Sequence, residues 1–187
     1  MERSKAMTYQ DQKEFGRLLE HFQRLSDRDH VLEIGSLHGE SLVLWMDNMP
    51  PGGTIVSVDF MVPPSDPRHD MQKAGHEVVW PQWAYRRGLQ FYCLNADSKD
   101  IATVVSVKRL LPELDFLFID GGHDYATCLA DWENYSPLVR PGGMVAFHDL
   151  GQEWPDVRRV WEEARKGKVS LEIVESPERY GIGVLWV

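Results

Sequence analysis

Acidic and histidine side chains follow several short apolar segments of this chain, and they are the residues best suited to do chemistry. Asp59 ends the segment TIVSVD, and Asp120 ends LDFLFID. His123 follows shortly after Asp120, and the segment MVAFHD ends in His148 and Asp149. Parallel strands bring their carboxyl ends to one edge of a sheet, where ligands bind in open α/β proteins. We therefore expect these side chains to surround one cleft.

Asp120, His148 and Asp149 form a candidate metal site. Carboxylate oxygens suit Mg²⁺ and other hard divalent cations, and a histidine nitrogen extends the choice to softer metals. A structural interpretation stays open beside this one. In it, the two carboxylates cap the segments that follow them, and His148 is a hydrogen-bonded histidine at a strand end.

The turn Asp120-Gly121-Gly122-His123 is the candidate catalytic segment, with His123 as general base and Asp120 beside it. Histidine side chains exchange protons near neutral pH, so His123 could take the proton of a hydroxyl group. The two glycines leave room for a small molecule to approach. The alternative is that His123 only starts a helix and has no catalytic role.

A pair of glycines follows the first apolar segment, in the loop Gly35-Ser36-Leu37-His38-Gly39. Glycines let a backbone turn tightly and approach a ligand closely. The loop lacks the middle glycine of G-x-G-x-x-G, which disfavours a nicotinamide dinucleotide. Asp59, at the end of the next strand, could accept hydrogen bonds from both ribose hydroxyls of a nucleoside. Asp97 could meet an adenine amino group or, equally well, cap the helix that begins near residue 98.

Helical and strand-like patterns alternate along the chain and must position these residues. We predict strands at 30–35, 54–60, 89–96, 114–122, 144–149, 170–176 and 180–187, and helices at 11–25, 41–49, 98–111, 124–138 and 154–166, with a turn at 140–143. The alternation predicts an α/β fold. We expect a Rossmann-like, doubly wound, mostly parallel seven-stranded sheet with helices on both faces, in a single domain over 1–187 that opens with a helical region within 1–29.

The segment 60–88 fits this alternation least well. We interpret it as a crossover with a helix near 66–78 and a long loop, and the alternative is a flap that covers a substrate. Trp83, Tyr85 and Trp154 are candidates to line an acceptor site, although packing explains each of them taken singly.

The composition narrows the classes of partner. The net charge of −9 disfavours binding to nucleic acid, which requires clustered basic residues. The sequence has no apolar run of about 18 residues that would span a membrane. Its start is polar, and its two cysteines do not suggest a disulfide framework. We therefore expect a cytoplasmic protein that acts on a small molecule.

Two blocks resemble the class I S-adenosylmethionine-dependent methyltransferases. VLEIGSLHGES resembles their E-x-G-x-x-x-G-x-S cofactor loop, and FLFIDGGHDYATCLADWENYSPLVRPGGMVAFHD resembles the small-molecule O-methyltransferase branch of macrocin-type and cephalosporin hydroxylase-like proteins. The resemblance extends from about residue 31 to residue 149. It implies that Glu33, Gly35, Ser36, Gly39 and Ser41 line the methionine part of S-adenosylmethionine, that Asp59 holds its ribose, that Asp97 and Ser98 meet its adenine, and that Asp120 borders the cofactor.

The resemblance implies transfer of a methyl group to a hydroxyl of a small molecule, with or without a divalent cation such as Mg²⁺. Metal-binding members usually carry a carboxylate where His148 stands, so the metal is the open part of this expectation. The alternative function is a non-catalytic module that binds S-adenosylmethionine. The acceptor site would come from the segment 60–88, from the loop after Asp149, or from a second subunit of a homo-oligomer.

Overall fold

The computed structural model describes residues 11–187, so the first ten residues of the predicted N-terminal region lie outside it. Its centre is one seven-stranded sheet with the strand order β3-β2-β1-β4-β5-β7-β6. The strands are β1 (His30–Ile34), β2 (Thr54–Asp59), β3 (Gln90–Asn95), β4 (Leu114–Ile119), β5 (Val139–Phe147), β6 (Ser170–Ile173) and β7 (Ile182–Trp186).

The first five strands run parallel, and β7 lies antiparallel between β5 and β6. Strands β2 and β4 are buried along their whole length, which explains their continuous apolar sequences. Strand order reverses at β1, where the chain first extends the sheet towards β3 and later returns to add β4 on the other side. The predicted doubly wound, mostly parallel α/β sheet is confirmed.

Helices cover both faces of the sheet, as predicted. One face packs against α1, α2 and α4, which contribute Phe15, Trp45 and Trp80 to its core. The other packs against α5, α6 and α7, which contribute Val107 and Trp161 among others. The helices are α1 (Gln12–Gln23), α2 (Glu40–Asn48), α3 (His69–Ala74), α4 (Trp80–Arg86), α5 (Ile101–Leu110), α6 (Tyr125–Tyr135) and α7 (Pro155–Ala164). Within residues 11–187, none of them combines the length and the apolar character that crossing a membrane requires.

The segment 60–88 is more helical than the sequence predicts. After α3, a π-helical turn at Gly75–Val79 leads directly into α4, a helix that the prediction left as loop. Proline and glycine, here Pro81 and Gly75, usually interrupt helices. Pro81, however, lies in the first turn of α4, where proline is tolerated. Trp80 is fully buried and anchors the segment in the core beneath β2 and β3.

The predicted turn at 140–143 is part of β5. Leu114 pairs with Val139 and Phe116 pairs with Met144, so four residues of β5 bulge opposite Asp115. Strand β5 stays continuous through this bulge because its first residues are held to Asp115. The Arg140 Nε donates a hydrogen bond to the Asp115 carboxylate at 2.5 Å. Proline and glycine therefore mark an irregularity inside the strand here and not its boundary.

Gly183→Ala should destabilise the protein by about 1–3 kcal/mol, because an added methyl group would overpack the core. A Cβ on Gly183, in β7, would lie 2.6 Å from the Trp161 ring. Gly16→Ala is the matched control, since a Cβ on this exposed α1 residue meets nothing within 4 Å. It should stabilise the helix by about 0.5–1 kcal/mol. Urea unfolding measures both, and an unchanged midpoint for Gly183→Ala would contradict the packing of α7 on β7.

Candidate functional site

The register of three central strands sets the positions of the candidate residues. In the pairing, Ile34 at the end of β1 lies opposite Val58 of β2 and Ile119 of β4. The backbone bonds continue past the strand ends: the Gly35 N–H donates to the Val58 carbonyl, and the Asp120 N–H donates to the Ile34 carbonyl, both at 2.9 Å. The ends of these strands therefore meet at one edge of the sheet, as the sequence predicts.

The loop 35–39 requires its two glycines. Gly35 has φ +85°, and a Cβ there would lie 2.0 Å from the carbonyl oxygen of Asp120. Gly39 has φ +73° at the start of α2, and a Cβ there would overlap the Trp80 indole. Leu37 also has a positive φ of 38°, which is uncommon for a residue with a side chain. Uncommon backbone conformations of this kind cluster at functional sites.

Asp59 ends β2 beside this loop. Its Oδ2 accepts a hydrogen bond from the Leu37 N–H at 2.7 Å and another from the Gln72 side chain at 2.9 Å. The His76 Nε2 lies 3.6 Å from the same oxygen. Among the described residues, the hydrogen bonds of this carboxylate fall on Oδ2, so Oδ1 can serve a ligand.

A cavity of about 400 Å³ opens in front of Asp59, and we call it the Asp59 cavity. Its size suits a small-molecule ligand. Asp97 borders it and accepts a hydrogen bond from the Lys99 N–H at 2.9 Å, so it stabilises the turn before α5. Ser98 also borders it, and its carbonyl accepts a bond from the Tyr135 hydroxyl at 2.6 Å. The Asp59 cavity is lined by Ile34, Gly35, Leu37, Val58, Asp59, Phe60, Val62, Ala96, Asp97, Ser98, Lys99, Asp120, Gly121, Gly122, His123 and Thr127.

Glu33 and Ser41 lie behind the glycine loop, and Ser36, within the loop, is buried. Glu33 is fully buried, and its carboxylate accepts hydrogen bonds from the Ser41 hydroxyl at 3.0 Å and from the Trp45 indole N–H at 2.6 Å. Ser36 shares a 2.8 Å hydrogen bond with Ser57. Burial raises the pKa of Glu33 to about 8, although these donors favour its charged form. These contacts support the loop from beneath, while direct contact of the three side chains with a cofactor stays a prediction.

Two carboxylates and two histidines form a tight cluster at the ends of β4 and β5. The His148 Nδ1 lies 3.0 Å from the Asp120 carboxylate and 3.2 Å from that of Asp149. The His123 Nε2 lies 2.7 Å from the other oxygen of Asp149. Asp149 itself has φ +63°. The four predicted residues of this cluster are thus brought together, and His123 joins the two carboxylates from the cavity side.

Burial and neighbouring charges shift the pKa values within the cluster. Burial would lower the pKa of His148, but the two carboxylates outweigh it and raise this pKa to about 10. Burial raises the pKa of Asp120, in spite of the attraction of His148. Burial also acts to raise the pKa of Asp149, but hydrogen bonds from His123 and His148 hold it well below its usual range. The two carboxylates therefore favour the protonated form of His148, whose charge would offset theirs.

His148 borders a cavity at the inner end of the cluster, with 3% of its surface exposed. Phe15 packs against its ring at 5.4 Å and Tyr180 stacks on it at 6.0 Å. The atoms that converge as potential metal ligands, all within 4.8 Å of one another, belong to Asp120, His123 and Asp149. This set of two oxygens and one nitrogen suits a divalent cation. His123 thus joins the two carboxylates as a potential ligand, and metal binding by His123 or by His148 stays a prediction.

A second cavity, of about 340 Å³, lies beside the cluster, and we call it the Asp149 cavity. Trp154 lines it and stacks on the His123 ring at 4.0 Å, with 20° between the planes. The two cavities share Gly35, Leu37, Asp120 and His123. A ligand in one cavity therefore meets a ligand in the other at the turn that carries His123.

Sequence reasoning missed part of this site. Of the three aromatic candidates, Trp154 lines the Asp149 cavity, whereas Trp83 bonds to Asp47 and Tyr85 is 84% exposed. His76, for which the sequence predicts no functional role, is buried beside Asp59 together with Gln72. A single buried glutamine or histidine on a short helix carries no periodic signal that would have identified it.

Solved structures and a family model provide comparisons. A model described as a methyltransferase domain matches residues 32–150. The O-methyltransferase from Bacillus cereus, solved in complex with S-adenosylhomocysteine (SAH), has a TM-score of 0.67 and 19% identity, covering 95% of this chain and 82% of that chain. The O-methyltransferase TomG from Streptomyces achromogenes, involved in tomaymycin synthesis and solved with S-adenosylmethionine, has a TM-score of 0.60 and 18% identity, covering 92% of this chain and 78% of that chain.

A curated protein of Sinorhizobium fredii (strain NBRC 101917 / NGR234), uncharacterized protein y4gI, is 33% identical over 75 residues. The match covers 39% of this chain and 8% of y4gI, so the chain spans a small part of that relative's length. The solved structures share the fold of this chain.

Glu33→Gln should flatten the pH dependence of stability. The pKa of Glu33 in the folded protein, about 8, lies above its ordinary value of 4.5. Between these values the folded protein holds a proton that the unfolded chain has released, so this group makes stability fall as pH rises. Glutamine does not titrate and can still accept from Trp45. Thermal unfolding between about pH 5 and about pH 9 should show a smaller decline for the variant.

Glu20→Gln, on the exposed face of α1, is the control and should keep the wild-type pH profile. Parallel profiles for Glu33→Gln and the wild type would show that Glu33 is charged in the folded protein.

Proposed function

Because the chain belongs to the methyltransferase-domain family whose model matches residues 32–150, we propose that it transfers a methyl group from S-adenosylmethionine to a hydroxyl of a small molecule. The observation that carries this proposal is the border shared by the two cavities, where Gly35, Leu37, Asp120 and His123 line both. Methyl transfer needs two ligands aligned end to end and a group that takes up a proton. A cofactor in the Asp59 cavity and an acceptor in the Asp149 cavity would meet beside His123.

The residues around the Asp59 cavity fit a nucleoside cofactor. In this proposal the Oδ1 of Asp59 accepts from the ribose hydroxyls, and Asp97 and Ser98, which also border the cavity, meet the adenine. Gly35 approaches the Asp120 backbone so closely that a side chain at position 35 would not fit. S-adenosylmethionine would supply a methyl group already activated by the sulfonium. The similarity to structures solved with SAH and S-adenosylmethionine supports this assignment.

His123 is our candidate for the general base. Its Nε2 donates to Asp149, which fixes the tautomer and leaves Nδ1 as the nitrogen that can take the hydroxyl proton. Trp154 stacks on the imidazole and fixes the plane of the ring. Asp149 also stabilises the imidazolium that forms when His123 accepts the proton. We assign Asp120 to the border of both ligands, since it lines both cavities.

The cluster also fits a divalent cation held by Asp120, His123 and Asp149. Such a cation would lower the pKa of an acceptor hydroxyl bound to it. A His123 nitrogen that binds the cation would not serve as base at the same time, so the two roles are alternatives. His148, which the sequence assigned as a ligand, holds the carboxylates together through Nδ1 in either case.

We also propose a cytoplasmic protein whose partner is a small-molecule acceptor and not nucleic acid or a membrane. The net charge of −9 would repel a phosphate backbone, which supports this choice. Cys93 and Cys128 are free thiols, in keeping with a reducing compartment. We further propose a homo-oligomer in which a second copy completes the acceptor site, and sedimentation experiments would test its oligomeric state.

Asp59→Ala should weaken SAH binding by about 10- to 100-fold, because a charged acceptor for the ribose hydroxyls is lost. Isothermal titration calorimetry measures the change. Asp70→Ala, on the exposed side of α3, is the control and should bind SAH like the wild type. Equal affinities for all three proteins would remove Asp59 from the cofactor site, and preference for NAD over SAH would reject the proposed cofactor.

His123→Ala should lower kcat by about 100- to 10,000-fold, the usual contribution of a general base. Turnover is measured as release of SAH from S-adenosylmethionine with a panel of phenols and sugars, in Mg²⁺ and in EDTA. His30→Ala, at the exposed start of β1, is the control and should keep wild-type turnover. Turnover abolished by EDTA would favour the metal role of His123, and full turnover in His123→Ala would exclude both roles.

A further inference from the structure

We infer that Gln72 is a positioning residue of the cofactor site, which holds Asp59 in the orientation that recognises the ribose hydroxyls. The inference rests on the proposed function, because it requires a ribose at Asp59. Gln72 lies on α3, in the segment 60–88 that the sequence associated with crossover or with covering a substrate. This positioning of Asp59 by Gln72 would give the segment 60–88 a role in selecting the cofactor.

Both ends of the Gln72 amide are engaged inside the protein. The side chain is fully buried, and its Nε2 donates to the Asp59 Oδ2 at 2.9 Å. Its Oε1 accepts from the Val62 N–H at 2.8 Å. A flipped amide would set its oxygen against the carboxylate and its NH₂ against the Val62 N–H, so the surroundings allow one orientation. Gln72 therefore presents a fixed donor to Asp59.

This donor determines which oxygen of Asp59 is free. With Gln72 and the Leu37 N–H both directed at Oδ2, that oxygen is committed to the protein. The His76 Nε2, 3.6 Å away, approaches the same oxygen from within the core. The carboxylate plane is thus held from the protein side, and Oδ1 is left for the Asp59 cavity. A carboxylate held by the Leu37 N–H alone could rotate, and its alignment with two vicinal hydroxyls would be lost.

The chain connection makes this arrangement sensitive to the segment as a whole. The segment leaves β2 directly after Asp59, and Gln72 returns to the same strand end from α3. Trp80 then fastens the segment to the core against Gly39 of the glycine loop. One packed unit therefore sets both the loop and the carboxylate that flank the proposed ribose position.

The test is the preference for the ribose hydroxyls, measured as the ratio of calorimetric affinities for SAH and for its 2′,3′-dideoxyribose analogue. Gln72→Met and Gln72→Leu both remove the hydrogen bonds to Asp59 and Val62, with an apolar side chain that cannot donate or titrate. Gln82→Met, exposed on α4, is the matched control. We expect the ratio to fall by about tenfold in both Gln72 variants and to stay at the wild-type value in Gln82→Met.

A purely structural role would weaken the binding of both ligands by the same factor and leave the ratio unchanged, which would overturn the inference while the cofactor assignment stands. If Gln72→Met does not fold, Gln72→Leu decides, because it also removes the donor to Asp59. Wild-type protein that binds both ligands equally would instead overturn the ribose role of Asp59. Wild-type protein that binds neither would overturn the proposed function itself.

Discussion

The parallel pairing of β1 with its two neighbours is the constraint on which the site depends. Ile34 lies opposite Val58 on one side and Ile119 on the other, and the backbone hydrogen bonds of Gly35 and Asp120 extend this register beyond the strands. A slip of one residue would reverse the face of every side chain in the shifted strand. Because both faces are buried under helices, that slip is strongly disfavoured. The pairing of the strands therefore sets the position at which each loop begins, independently of the loop residues.

Close approach of backbone to backbone then determines the shape of the cofactor loop. Gly35 lies against the Asp120 carbonyl, and Gly39 lies against the Trp80 indole, so the loop contacts β4 and the segment 60–88 at once. Leu37 adopts a positive φ between these contacts and directs its N–H at Asp59. The strained residue is thus held by its neighbours on both sides, and its N–H contributes directly to the site.

Charge compensation explains how two carboxylates share a buried corner of the molecule. Asp120 and Asp149 would repel each other within the cluster, and burial would raise the free-energy cost of charging both. The imidazole of His148 lies between them with Phe15 and Tyr180 around it, and His123 contacts Asp149 from the cavity. The inner histidine stabilises the pair, while the outer one is free to meet a ligand. This division explains why neighbouring histidines have different roles.

Much of the architecture could be predicted because local patterns specify it. Continuous apolar runs predict buried parallel strands, and acidic residues at their ends predict a site along one edge. Two elements escaped prediction for different reasons. The first turn of α4 tolerates Pro81. The segment around Arg140 stays in β5 because Arg140 is hydrogen-bonded to Asp115. The position at a helix start in one case, and a partner distant in the chain in the other, overrides a residue type that usually ends an element.

By itself, the sequence determined the α/β class, the order of its elements, and the glycines and acidic residues at the strand ends. These properties depend on residues close together in the chain, or on the rule that parallel strands end at one edge. Only the tertiary structure decided that Gln72 and His76 back Asp59, and that Trp154 stacks on His123 while Phe15 and Tyr180 pack around His148. Those choices depend on contacts between segments far apart in sequence, whose side chains meet only after the sheet and helices have packed.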